Sequence, residues 1–119
     1  MDYLLDSNTI IDIAGNRLPA SSYSELKKIV QDLAFSSVIA RIEVLGFNGD
    51  PKEILECEGL INDLLEIGLT ESIVQKTIAL RRTYSKIKLP DLIIAATALE
   101  YNLQLITHNV DDLKILAVL

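Results

Sequence analysis

Four short, largely apolar segments, separated by stretches with helical spacing, limit this chain's fold more than any other feature. They fall at residues 3–5, 34–36, 67–69 and 103–107. The first, Tyr3-Leu4-Leu5, is apolar throughout, which fits a strand buried on both faces of a parallel sheet, and the other three each carry a polar residue or a glycine. With helices between them they make βαβ units. The expected architecture is therefore α/β: a three-layer domain with a mainly parallel central sheet. The first run is expected to be central, because no proline or glycine interrupts it, and the brief third run to be an edge strand. A helical turn near Asp112 and a last strand over 115–118 would complete the chain, which at 119 residues is one domain, 1–119.

Local signals punctuate the helices. Asp6 or Ser7 can cap a first helix that stops at Gly15-Asn16. Ser22 with Glu25 is a capping-box pattern, ahead of an apolar face of Leu26, Ile29, Val30 and Leu33. Ser37 opens a helix ending near Gly46. Asp50-Pro51-Lys52-Glu53 combines an N-cap, proline at the first position and glutamate at the third. An apolar stripe of Ile54, Leu55, Leu60, Ile61, Leu64 and Leu65 follows, with Gly59 a weak point. Thr70 starts a helix toward Tyr84. Leu89-Pro90-Asp91 starts a strongly apolar one through Tyr101, whose Ala95, Ala96 and Ala98 suit close packing on a sheet.

Half of the residues are apolar and nearly a quarter charged, a globular composition. The single cysteine, Cys57, sits between glutamates and reads as an idle thiol. Asp2, Asp6 and Asp12 break any secretory leader and no run is long enough to cross a bilayer, so a cytoplasmic location is expected. A net charge of −6 argues against simple attraction to a nucleic-acid backbone. Lys76, Arg81, Arg82, Lys86 and Lys88 nevertheless form a local basic segment. Ordinary solvated helix residues are its simpler reading, and a set of phosphate contacts the sharper one.

Asp6, Glu43, Asp91 and Asp112 each lie where an ordered segment begins or ends, or inside a helix of otherwise apolar character. In a parallel α/β fold such carboxylates can converge on one edge and hold a hard divalent cation. Each has a plainer role. Asp6 can cap a helix, although Ser7 and Asn8 could do the same. Asp91 can stabilise a helix N-terminus, worth roughly 0.5–2 kcal/mol. Asp111 and Asp112 fit an Asx-rich turn. Glu43 lies among Ile42, Val44 and Leu45, so its carboxylate is expected near packed structure. Arg41, on the same helix, is not expected to pair with it. Thr107, Asn109 and Ser7 could orient the ligating groups. The lone histidine, His108, rules out a multi-histidine zinc site.

The wording around these acids resembles PIN-domain ribonucleases of the VapC toxin type, over essentially the whole chain. The opening motif is YLLDSNTIID, and Ile42-Glu43-Val44-Leu45-Gly46 is a looser match to the middle one. Pro90-Asp91-Leu92-Ile93-Ile94-Ala95-Ala96-Thr97-Ala98 is nearly complete. The closing motif runs Thr107-His108-Asn109-Val110-Asp111-Asp112-Leu113, with Leu113 where many relatives carry phenylalanine. The resemblance implies an acidic catalytic and metal-binding set of Asp6, Glu43, Asp91 and Asp112, supported by Asn8, Thr107 and Asn109. It implies a magnesium- or manganese-dependent endoribonuclease, commonly encoded beside an inhibiting antitoxin and often a homodimer. Of the adjacent pair, Asp112 has the motif spacing and Asp111 is the better solvent-facing cap.

Oxygen-only ligands agree with that expectation, since Mg²⁺ or Mn²⁺ prefers them. A phosphoryl-accepting receiver domain would need an aspartate near Leu69 and a lysine at 108–109, and has neither. A dinucleotide-binding fold would need a glycine-rich loop after the first strand. The remaining alternative is a non-catalytic PIN-like module that binds RNA or protein.

Overall fold

The computed structural model describes residues 2–17, 20–31 and 34–107. Asn109, Asp112, His108, Asp111 and the expected strand at 115–118 lie outside the described residues. The element order is β1 (Tyr3–Leu5), α1 (Ser7–Ala14), α2 (Ala20–Gln31), β2 (Ala34–Ser37), α3 (Val38–Leu45), α4 (Pro51–Asp63), β3 (Leu65–Ile67), α5 (Glu71–Thr83), α6 (Leu89–Tyr101) and β4 (Gln104–Ile106).

The four strands form one parallel sheet in the order β3-β2-β1-β4, flanked by helices as a three-layer α/β domain. β1 is central and β3 is at an edge, as the sequence suggests. In register, Leu5 faces Ser36 on one side and Ile106 on the other. All three strands therefore finish together, and the residues that follow them share one rim. Leu4 and Leu5 are fully buried, with Ile10, Ile13, Val44, Ile61 and Ile94 around them.

Helix α6 is buried on most of its circumference, as a helix apolar all round should be. Its Ile94 and Ala98 join the sheet core. Leu92, Ala95 and Ala96 instead pack with Ile73 and Leu80 of α5 and with Ile87. The alanines thus divide between two neighbours, only Ala98 serving the sheet. Asn102 ends the helix in the left-handed conformation (φ 53°), which asparagine tolerates. At the end of α1 it is likewise Asn16 (φ 52°) that takes this conformation, while Gly15 stays at φ −84°.

Three local expectations give way to tertiary structure. Helix α2 begins at Ala20, so Ser22 lies inside it and is not its cap. Helix α4 ends at Asp63 and the third strand begins at Leu65, two residues earlier than its apolar run suggests. Pairing of Leu65 with Phe35 sets that start. Within α4 the buried residues are Cys57 and Ile61, and Leu55 of the expected stripe is 68% exposed. The remaining cap signals hold: Ser37, Asp50 and Thr70 accept from Ile39, Lys52 and Ile73 backbone N–H groups.

Candidate active site

Asp6 stands one residue beyond β1, in extended backbone (φ −82°, ψ 173°), with only 8% of its surface exposed. Its Oδ1 accepts from Thr9 N at 2.8 Å, so it is the N-cap of α1. The cap falls to Asp6 alone, while Ser7 and Asn8 enter the helix. Its own N–H donates to Ile106 O at 3.2 Å, and Thr9 Oγ1 donates to the same carbonyl at 3.1 Å. These bonds tie the end of β1 to the end of β4, with Thr107 immediately beyond. Oδ2 receives no hydrogen bond from a described residue, so capping and ligation are compatible at this carboxylate.

Glu43 lies in the second turn of α3 and is exposed, not sunk among its apolar neighbours. Val44 turns into the core while Ile42 and Glu43 face outward. The carboxylate is held instead by a distant partner: Ser7 Oγ donates to Glu43 Oε1 at 2.7 Å. The residue following Asp6 thus draws Glu43 toward the β1 rim. Arg41 turns away to Glu66 on β3, reaching both carboxylate oxygens with Nε and Nη2.

Asp91 is the third residue of α6, partly buried, in the first turn where negative charge suits the helix dipole. The N-cap, Lys88, contributes no side-chain hydrogen bond. Because α6 leads into β4 through Asn102 and Leu103 and outspans that strand, its N-terminus lies toward the end where the strands finish. α3 and α6 also pack together.

Asn8 is exposed, and with Ser7 and Glu43 it lines a cleft of about 480 Å³. Phe47 and Glu53 form other parts of its wall, and Arg17 pairs with Glu53. Asp6 and Asp91 are not in its lining. Local sequence offers no signal for this cleft, whose walls come from segments about 40 residues apart. Ser36, beside Leu5 in register, was also missed: its buried Oγ has no hydrogen-bond partner among the described residues. Cys57 forms part of the cleft floor; burial foremost, then Glu53 and Glu56, raise its thiol pKa, which keeps it protonated and inert.

The donor set is all oxygen. Among the described residues no three Asp, Glu, His or Cys side chains form a ready metal cage. A cation that keeps several waters and takes one or two direct carboxylates, as Mg²⁺ does, fits such a sparse set better than zinc. Among the described residues no helix is long and apolar enough to cross a membrane.

Comparison with known proteins agrees with this fold. The PIN domain family model matches residues 3–118. No curated protein matches the chain. Among solved structures it is similar to VapBC-1 from nontypeable Haemophilus influenzae, at 28% identity and TM-score 0.78, covering 100% of this chain and 95% of that one. A toxin-antitoxin complex from Klebsiella pneumoniae matches at 28% identity and TM-score 0.73, covering 90% and 86%. VapBC2 from Rickettsia felis, bound to a promoter DNA fragment, shares the fold at 23% identity and TM-score 0.78, covering 97% and 93%. The chain belongs to the PIN domain family, and its likeness to the VapC type extends from the sequence motifs to the whole fold.

Proposed function

We propose that this protein is a Mg²⁺- or Mn²⁺-dependent endoribonuclease, the toxin of a toxin–antitoxin pair, hydrolysing RNA phosphodiester bonds in the cytoplasm. The observation that carries the reading is the pair of bonds at consecutive residues: Asp6 is fixed by Thr9 N, and Ser7 holds Glu43. A buried carboxylate with one oxygen committed and the other without a hydrogen bond from any described residue, next in sequence to a hydroxyl that holds a second carboxylate, is more than a helix cap requires.

Asp6 and Asp91 would hold the ion most directly, with Glu43 and Asp112 reaching it through water. Bound there, the ion supplies Lewis acidity toward the phosphodiester and a hydrolytic water near neutral pH. The chain's own residues do the positioning. Thr9 N fixes the Asp6 carboxylate, so no rotamer search is needed when substrate arrives. Ser7 orients Glu43, which is open to solvent and suited to align a water or take its proton. Asn8, which lines the cleft with Ser7 and Glu43, and Thr107, one residue beyond the carbonyl bonded to the Asp6 N–H, would add polar contacts, and Asn109 has the motif position to join them. Likeness to the Haemophilus and Klebsiella complexes supports an antitoxin partner for this chain too.

The test is cleavage of a mixed RNA pool by protein freed of any antitoxin, with Mg²⁺, Mn²⁺ or chelator, and with Asp6→Asn as the control for contaminating nuclease. We expect cleavage that needs the metal and is lost in the variant. Cleavage indifferent to both would sink the proposal. RNA binding without any cleavage would favour the non-catalytic module.

A further inference from the structure

Between Glu71 and Asp91 the chain carries no acidic residue, yet it carries Lys76, Arg81, Arg82, Lys86 and Lys88. The structure divides these five. Lys76 Nζ lies 3.3 Å from Glu100 Oε2, a tie that joins the first half of α5 to the end of α6. The other four are exposed, and no described carboxylate is within ion-pair distance of any of them. Elsewhere Arg17 and Arg41 are each paired with a glutamate. In a chain of net charge −6, these four cations, consecutive among the charged residues of this stretch, have no ion-pair partner among the described residues.

Their location gives them a meaning. The Lys76–Glu100 tie at one end, and the packing of Leu80, Ile87 and Leu92 at the other, make α5 and α6 antiparallel. The end of α5 and the α5–α6 turn therefore sit beside the start of α6, at the sheet end carrying Asp6 and Thr107. Ile87 is buried between exposed Lys86 and Lys88, which anchors the turn. Lys88 is the N-cap of α6, three residues before Asp91.

We propose that the end of α5 and the α5–α6 turn, through Arg81, Arg82, Lys86 and Lys88, form a phosphate-binding arm that brings single-stranded RNA to Asp91. The inference rests on the nuclease reading and adds how an acidic protein engages its polyanionic substrate. Overall charge repels RNA at long range, and the carboxylates of the site repel it locally. A basic stretch adjoining Asp91, with no ion-pair partner among the described residues, supplies the compensating attraction, through phosphates and without regard to base sequence.

The test measures binding of a labelled single-stranded RNA in chelator, where the proposed cleavage is silent, across a series of salt concentrations. Arg82→Gln with Lys86→Gln is compared with Lys28→Gln with Lys52→Gln, two exposed cations on other elements. Losing two phosphate contacts should make the slope of log affinity against log salt shallower by about 1.4, while the control pair leaves it unchanged. With Mg²⁺ present, the first double variant should also cleave more slowly at subsaturating RNA. An unchanged slope, or equal changes in both double variants, overturns the arm and leaves the nuclease reading standing. Loss of antitoxin association with an unchanged RNA slope would also overturn it, marking the stretch as a protein contact. Failure of the unaltered protein to bind or cleave RNA would remove both readings together.

Discussion

At the residue scale, Asp6 combines two roles that substitutions can separate. Asparagine caps helices about as well as aspartate, so Asp6→Asn should keep the bond from Thr9 N and melt within about 0.5 kcal/mol of the parent. Its metal-dependent cleavage should nevertheless fall below detection. Asp6→Ala removes the cap as well and should cost about 1 kcal/mol further. If Asp6→Asn instead destabilised as much as alanine while still cleaving, the carboxylate would be structural only. Ser7→Ala isolates the second bond of the site. The hydroxyl touches Glu43 and supports no backbone, so the fold should be retained while cleavage drops about 10–100-fold, as for other residues that orient a metal-site carboxylate. For the closing motif, Asp112→Asn should impair cleavage more than Asp111→Asn, with both proteins folded.

At the element scale, the helices are fixed by local chemistry and the edge strand by its neighbours. Gly59 lies inside α4, where a methyl group would meet nothing within 4 Å and the backbone needs no left-handed conformation. Gly59→Ala should therefore stabilise the domain by about 0.5–1 kcal/mol, read as a rise of a few degrees in melting temperature, with cleavage unchanged. A neutral or lower melting temperature would mean that this face of α4 is covered by something a methyl disturbs. Strand β3 has three residues and an exposed Leu65. The two-pronged contact of Arg41 with Glu66 ties it to α3, though an exposed pair of this kind contributes at most about 1 kcal/mol.

At the scale of the whole molecule, the sheet's parallel arrangement brings Asp6 and Thr107 together, and α6 adds Asp91 toward the same end. If a cation is held between Asp6 and Asp91 as proposed, its binding should register in global stability. With Mg²⁺ at 100 times its dissociation constant, linkage adds about 2.7 kcal/mol. Thermal melting with and without the ion should show that gain in the parent and lose it in Asp6→Asn. Equal gains in both proteins would assign the effect to other acidic surfaces.

The sequence by itself determined the parts of this protein whose physics closes within a few residues. Ser37, Asp50 and Thr70 cap their helices because the partner N–H is two or three positions away, and short, largely apolar segments made strands 3–5 and 34–36 legible. The ordered motifs pointed to the family for the same reason, since each packs its polar and apolar residues into one short segment. Tertiary structure decided what depends on distant partners. Glu43 is exposed yet held because Ser7 lies 36 positions earlier in the chain. Lys76 leaves the basic segment because Glu100 reaches it, and β3 begins at Leu65 because Phe35 is there to pair with. Ser22 has the form of a cap but lies within α2, a helix that begins upstream of its signal. Local hydrogen bonds leave a trace in residue order, whereas contacts made by chain reversal leave none, and the candidate site is assembled from both.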